Sequence, residues 1–184
     1  MKTPILLISS AALAAFFCMT LIRGCFLTII PAKICGFDLT RPPAEFRKLT
    51  RADASVTSGI PESKEFSVNR DTTAEKLIDG SVNTLAQPGG NKIDYEVTLV
   101  NPSEIKEMAI YWKDYGVNAN YISKWSVESS ENGADWTPVG GGDSPHDEKT
   151  VIDKKFTASK IRLRARSAKD WIGAYEMEII ARPL

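Results

Sequence analysis

The stretch KIRLRAR, residues 160–166, decides the fold class. Ile161, Leu163 and Ala165 take alternate positions, and Arg162, Arg164 and Arg166 fill the places between. A period of two sends the apolar side chains to one face of an extended segment and the cations to the other. Antiparallel sheets use such half-buried strands where one face meets water. The arginines read as that solvated face, with contact to an anionic lipid or polysaccharide as the alternative.

Outward from this stretch the alternation recurs. In DYEVTLV (94–100) Tyr95, Val97 and Leu99 share a face, and in EMAIYW (107–112) Met108, Ile110 and Trp112 do. KWSVES (124–129) sets Trp125 and Val127 opposite Lys124, Ser126 and Glu128, and YEMEI (175–179) turns Tyr175, Met177 and Ile179 inward. Turn signals part these runs: NPSE at 101–104, ENGAD at 131–135 and GGGDSP at 140–145. Only TTAEKLI (72–78) has room for a short helical turn. Short strands between Gly and Pro turns build an all-β sandwich or barrel. One domain over residues 53–182 accounts for them, after a linker at 36–52 that carries Pro42 and Pro43.

Composition narrows the function. The 23 basic and 23 acidic residues balance, which argues against a nucleic-acid partner held by a broad basic surface. Residues 4–22 form 19 uncharged positions behind Lys2, close to the length of a membrane span. We expect an N-terminal hydrophobic helix within 1–35, membrane association through it, and an extracytoplasmic, secreted or anchored domain. The segment reads as a signal peptide cut after Ala32, a retained anchor, or a lipoprotein leader with Cys25 of LIRGC lipidated. Cys18, Cys25 and Cys35 all fall in this leader, so no disulfide, zinc finger or cysteine nucleophile is available to the domain.

Two loops hold the candidate chemistry. LIDGSVNTLAQPGG (77–90) sets Asp, Ser, Asn and Thr in a Gly-punctuated segment, which fits either an ordinary Asp-Gly turn or an oxygen cage for Ca²⁺. WKDYGVNANY (112–121) is a polar loop with Lys113, Tyr115, Asn118 and Tyr121, and Trp171 stands in the turn before the last strand. Sugars present apolar C–H faces and fixed hydroxyls, so an aromatic platform beside such polar groups suits them. Other features read plainly. His146 is the only histidine, Gly140–Gly142 have no phosphate-loop lysine, and Trp125 and Trp136 lie within the strand pattern as core. Glu176 and Glu178 point the same way about 7 Å apart on a strand, without the cleft a hydrolase needs.

The segments SVTSG (55–59), AEKLIDGSVNT (74–84), YEVTLVNPSEIKEMAIYW (95–112), WSVESSENGADWTPV (125–139), FTASKIRLRA (156–165) and WIGAYEMEII (171–180) together resemble the coagulation factor 5/8 type C, or discoidin, domain. Family 32 carbohydrate-binding modules share that galactose-binding-like fold. The resemblance implies a jelly-roll β-sandwich that is not catalytic and binds carbohydrate or glycoprotein through loops at one end. A cell-surface adhesion or protein–protein module with a degenerate sugar site is the alternative. It also implies a structural Ca²⁺ held by side-chain oxygens of Asp79, Ser81, Thr84 and Glu176 and by carbonyls of Lys76, Thr84 and Tyr175. In sugar-binding relatives an Arg often follows the strand equivalent to 105–112, where this chain has Lys113, and an aromatic equivalent to Trp171 stacks on the sugar. Ala86 stands where the family often has Trp, and the absence of an N-to-C disulfide resembles bacterial members.

Overall fold

The computed structural model describes two short strands at 33–34 and 37–38, then residues 44–60, 72–87, 89–112, 122–145, 148–168 and 172–184. The chain divides into two compact units, 1–42 and 43–184. In the first, β1 (Lys33–Ile34) pairs antiparallel with β2 (Phe37–Asp38). The expected N-terminal helix and its cysteines lie outside the described residues, and no described helix is long and apolar enough to cross a membrane.

The second unit is an all-antiparallel sandwich. Its strands are β3 (Arg47–Lys48), β4 (Ala54–Ser58), β5 (Lys92–Trp112), β6 (Ile122–Ser130), β7 (Thr137–Asp143), β8 (Lys149–Ile152), β9 (Phe156–Ser167) and β10 (Ala174–Pro183). The first half of β5 lies between β4 and β9, with β6 and then β7 beyond β9. Its second half lies between β10 and β8, and β3 pairs with the far edge of β10. One long strand thus serves both layers.

The alternation survives along β5, β6 and β9 but breaks at the start of β10, where Tyr175 is half-buried and Glu176 is buried beside Met177. Tyr95, Val97, Met108, Ile110, Ile161 and Leu163 are buried between the layers, while Arg162, Arg164 and Arg166 face outward. Two turn assignments and part of the linker come out differently. NPSE is no turn: β5 runs through it, and the register against β9 shifts between Thr98 and Ser103. Pro102 lacks an N–H for the ladder, so the change of partners falls where the ladder could not continue anyway. Gly140–Gly142 lie inside β7, and at Gly141 the backbone of β6 leaves little room for a side chain: a Cβ there would stand 3.0 Å from the Trp125 carbonyl oxygen. Residues 43–52, read as linker, include the sheet's edge strand β3, whose Lys48 pairs in register with Ile180. ENGAD is a turn, with the Asn132 side chain accepting from the N–H groups of Ala134 and Asp135.

Trp136 also departs from expectation. It is half-buried outside the strands, with the Arg162 guanidinium stacked 3.7 Å above its ring. Trp125 is core, edge-on to Trp112 at 6.0 Å.

Candidate functional site

TTAEKLI folds into a short 3-10 turn, Ala74–Ile78, pinned by buried Leu77 and Ile78. Asp79 ends it, and Gly80 follows at φ 86°, a left-handed conformation that a side chain would strain. The Asp79 carboxylate then organises the loop. It accepts the Ser81 N–H at 3.0 Å, and the Thr84 hydroxyl stands 2.8 Å from both its oxygens. That hydroxyl is also 3.0 Å from the Ser81 carbonyl oxygen.

The loop is tied to the closing strand twice. Gly80 N–H donates to Glu176 Oε2 at 3.1 Å, and Ala86 and Ala174 exchange N–H···O bonds of 2.9 and 3.0 Å. A Cβ on Gly173 would come 2.8 Å from the Ala86 carbonyl oxygen, so this approach requires glycine. Ala86 is fully buried in that bridge. On β10 the pairing skips Tyr175, since Ala174 faces Trp112 and Glu176 faces Tyr111. Two residues apart on the strand, Glu176 and Glu178 both reach Lys48.

Glu176 is the unusual group. Its side chain is 1 % exposed, with Lys48 Nζ at 3.4 Å from Oε1. Burial pushes its carboxyl above the ordinary range; the Lys48 charge and the Gly80 N–H pull it back, and the Asp79 charge raises it further. Burial opposes the charge on Lys48, but Glu178 at 2.8 Å and Glu176 outweigh it and raise its pKa. The hydrogen bond from Lys48 holds Glu178 low, helped by the Tyr111 hydroxyl. Asp79 has Arg51 at 3.8 Å and Lys76 at 3.9 Å.

Asp79, Ser81, Thr84 and Glu176 therefore come together, with Lys76 and Tyr175 beside them. The donors are all hard oxygens, a set that suits Ca²⁺. Among the described residues no group of three or more His, Cys, Asp or Glu gathers as a metal cluster, so carbonyls and hydroxyls would complete the shell. Sequence reasoning missed Lys48 and Arg51. No local pattern marks Lys48, whose partner Glu178 is 130 residues away.

The other candidates, Lys113, Tyr115, Asn118, Tyr121 and Trp171, lie outside the described residues, as does His146. The flanking strand ends are described and meet at one end of the sandwich. Trp112 pairs with Ala174, Ile122 with Ser167, and Lys92 with Arg166.

A family model for the F5/8 type C domain matches residues 59–178. Among solved structures, the chain is similar to a family 32 carbohydrate-binding module from Clostridium perfringens in complex with GalNAc-β-1,3-galactose. That match has 18% identity and a TM-score of 0.59, covering 72% of this chain and 99% of that one. The C-terminal domain of a chitobiase from Bacteroides fragilis matches with 18% identity and a TM-score of 0.60, over 75% and 99% of the two chains. A chitosan-binding module from a Paenibacillus chitosanase/glucanase matches with 17% identity and a TM-score of 0.56, over 69% and 94%. No curated protein matches.

Proposed function

The chain belongs to the F5/8 type C domain family, and from that premise we propose that it is a non-catalytic, extracytoplasmic module that binds carbohydrate. The reading rests chiefly on one observation: the strand ends flanking residues 113–121 and 169–171 meet at one end of the sandwich. Lys113, Tyr115, Asn118, Tyr121 and Trp171, the residues chemically suited to a sugar, thus belong to neighbouring connections. The likeness to sugar-binding modules supports the same ligand class. Location outside the cytoplasm is supported by the uncharged run at 4–22.

The test is a glycan array probed with the full chain and with Trp171→Ala. Stacking on a sugar face is worth on the order of 1 kcal/mol, so the variant should bind several-fold more weakly at an unchanged melting temperature. Failure of the parent chain to bind any glycan would overturn the reading.

A structural Ca²⁺ belongs to the same proposal. Asp79, Ser81, Thr84 and Glu176 would hold it with carbonyls of Lys76, Thr84 and Tyr175. The ion, when bound, would neutralise two carboxylates and clip the loop to β10. In its absence Lys48, Arg51 and Lys76 supply the positive charge.

A further inference from the structure

We propose that the outer face of the β5–β9–β6 layer carries a site for an anionic sugar polymer, centred on Lys92, Arg166 and Lys124. The inference rests on the carbohydrate-binding reading and names a ligand class within it. In register, Lys92 stands opposite Arg166, and Arg166 opposite Lys124, so one cross-strand row presents three adjacent cations. All three are exposed. None forms an ion pair among the described residues, although Asp143 faces Lys124 across the β6–β7 ladder.

The neighbouring rows behave in the opposite way. Arg164 pairs with Asp94 at 3.4 Å and Glu128 at 3.2 Å. Arg162 pairs with Glu96 at 3.1 Å, and Lys160 with Glu96 at 2.7 Å. The same sheet face thus neutralises its other cations and leaves one row positive. Like charges directly opposite each other destabilise a sheet, so this row works against the fold that carries it. Such local violations mark functional positions more often than structural ones.

A groove of about 490 Å³ lies over the row, walled also by Ile60, Asp94 and Ser126. That is within the size range of ligand sites. Adjacent strands lie about 5 Å apart, so the cations form a ladder with that spacing. The central Arg166 offers a planar fork for a carboxylate or sulfate, and the flanking lysines offer point charges. A ladder of this kind matches a chain with repeated anionic groups better than a single anion or a neutral sugar.

The experiment measures retention of the full chain by polygalacturonate and by dextran sulfate, against methyl-esterified polygalacturonate and plain dextran. The two anionic probes separate carboxylate from sulfate. Retention should favour at least one anionic polymer over its neutral counterpart and weaken as salt screens exposed charge. Lys92→Gln, Arg166→Gln and Lys124→Gln should each weaken it about two- to fivefold. Because the row is self-repelling, these variants should melt no lower than the parent, and Arg166→Lys should retain partial binding. Equal retention by charged and neutral polymers would overturn the proposal and leave the carbohydrate reading standing. So would binding to neutral glycans alone, or losses explained by a lowered melting temperature. Loss of anionic-phospholipid vesicle binding in the variants, without polymer retention by the parent, would overturn it in favour of a lipid surface. Retention by no polymer and no glycan would remove both readings.

Discussion

Lys48 and a calcium ion would compete for the same carboxylate, and the variant Lys48→Met makes that competition measurable. Glu176 is almost wholly buried, with two polar contacts, the Gly80 N–H at 3.1 Å and Lys48 at 3.4 Å. Removing Lys48 without calcium leaves a buried anion with one weak donor. Hydrogen bonds to charged groups contribute about 1.5–3 kcal/mol. The long contact and a lysine side chain that is 36% exposed put this one below that range, at about 1 kcal/mol. For a domain of this size that is a fall of about 4 °C in melting temperature. Saturating calcium supplies the missing charge at Glu176, though not the lost Lys48–Glu178 pair, so part of the deficit should disappear, and the variant should respond to calcium more strongly than the parent. At a hundredfold excess over Kd the ion adds about 2.7 kcal/mol to whichever chain binds it. The assay is thermal melting of parent, Lys48→Met and Glu176→Gln in EDTA and in millimolar calcium. Glu176→Gln should abolish the response. Melting temperatures of parent and Lys48→Met indifferent to calcium would refute the metal site and leave the basic side chains as its permanent partners.

Acid should weaken the outer face of the sheet through Glu96. The hydrogen bond from Lys160, with Arg162 adding to it, holds its carboxyl below the ordinary range against a smaller opposing effect of burial. Its contribution is present above the unfolded value near 4.3 and is lost as pH falls through the lower folded value. Glu96→Gln should cost up to about 1 kcal/mol at pH 7 and flatten the acid side of a stability–pH profile; an unchanged profile would count against the pairing. Gly173→Ala should destabilise by about 1–3 kcal/mol, since the new methyl meets the Ala86 backbone oxygen. Gly140→Ala should cost less, because its Cβ meets side-chain atoms of Ile152 rather than backbone, and these can shift; chemical denaturation of the pair checks the order.

The sandwich was legible because most of its strands keep the alternation, β10 departing from it only at its bulge. A period of two is written locally, and KIRLRAR needs no knowledge of its neighbours to assign its faces. The errors arose where the backbone obeyed distant contacts. Gly140–Gly142 look like a turn by composition, yet they lie inside β7, where the Trp125 backbone passes close to Gly141. NPSE looks like a break, yet β5 crosses it while changing partners. β3 is too short to show a pattern, and only its pairing with Ile180 and Ala181 makes it a strand.

The grouping of the loop residues was legible for a different reason: Asp79, Ser81 and Thr84 lie within one turn of chain, and Glu176 follows from the resemblance. What the sequence hid was how the charges are shared out. Four basic residues, Lys160, Arg162, Arg164 and Arg166, look equivalent along β9. The register separates them, placing Glu96, Asp94 and Glu128 within reach of the first three and cations on both sides of the last. At the other site, the edge strand β3 brings Lys48 to a carboxylate that composition alone would have left to a metal. In both places strand pairing, which carries no local mark, decides whether a charge is neutralised by the protein or remains available to something outside it. At the unpaired row and at the buried carboxylate, a bound anion and a bound cation, respectively, would complement charge that the strand pairing leaves exposed or shares with a single lysine.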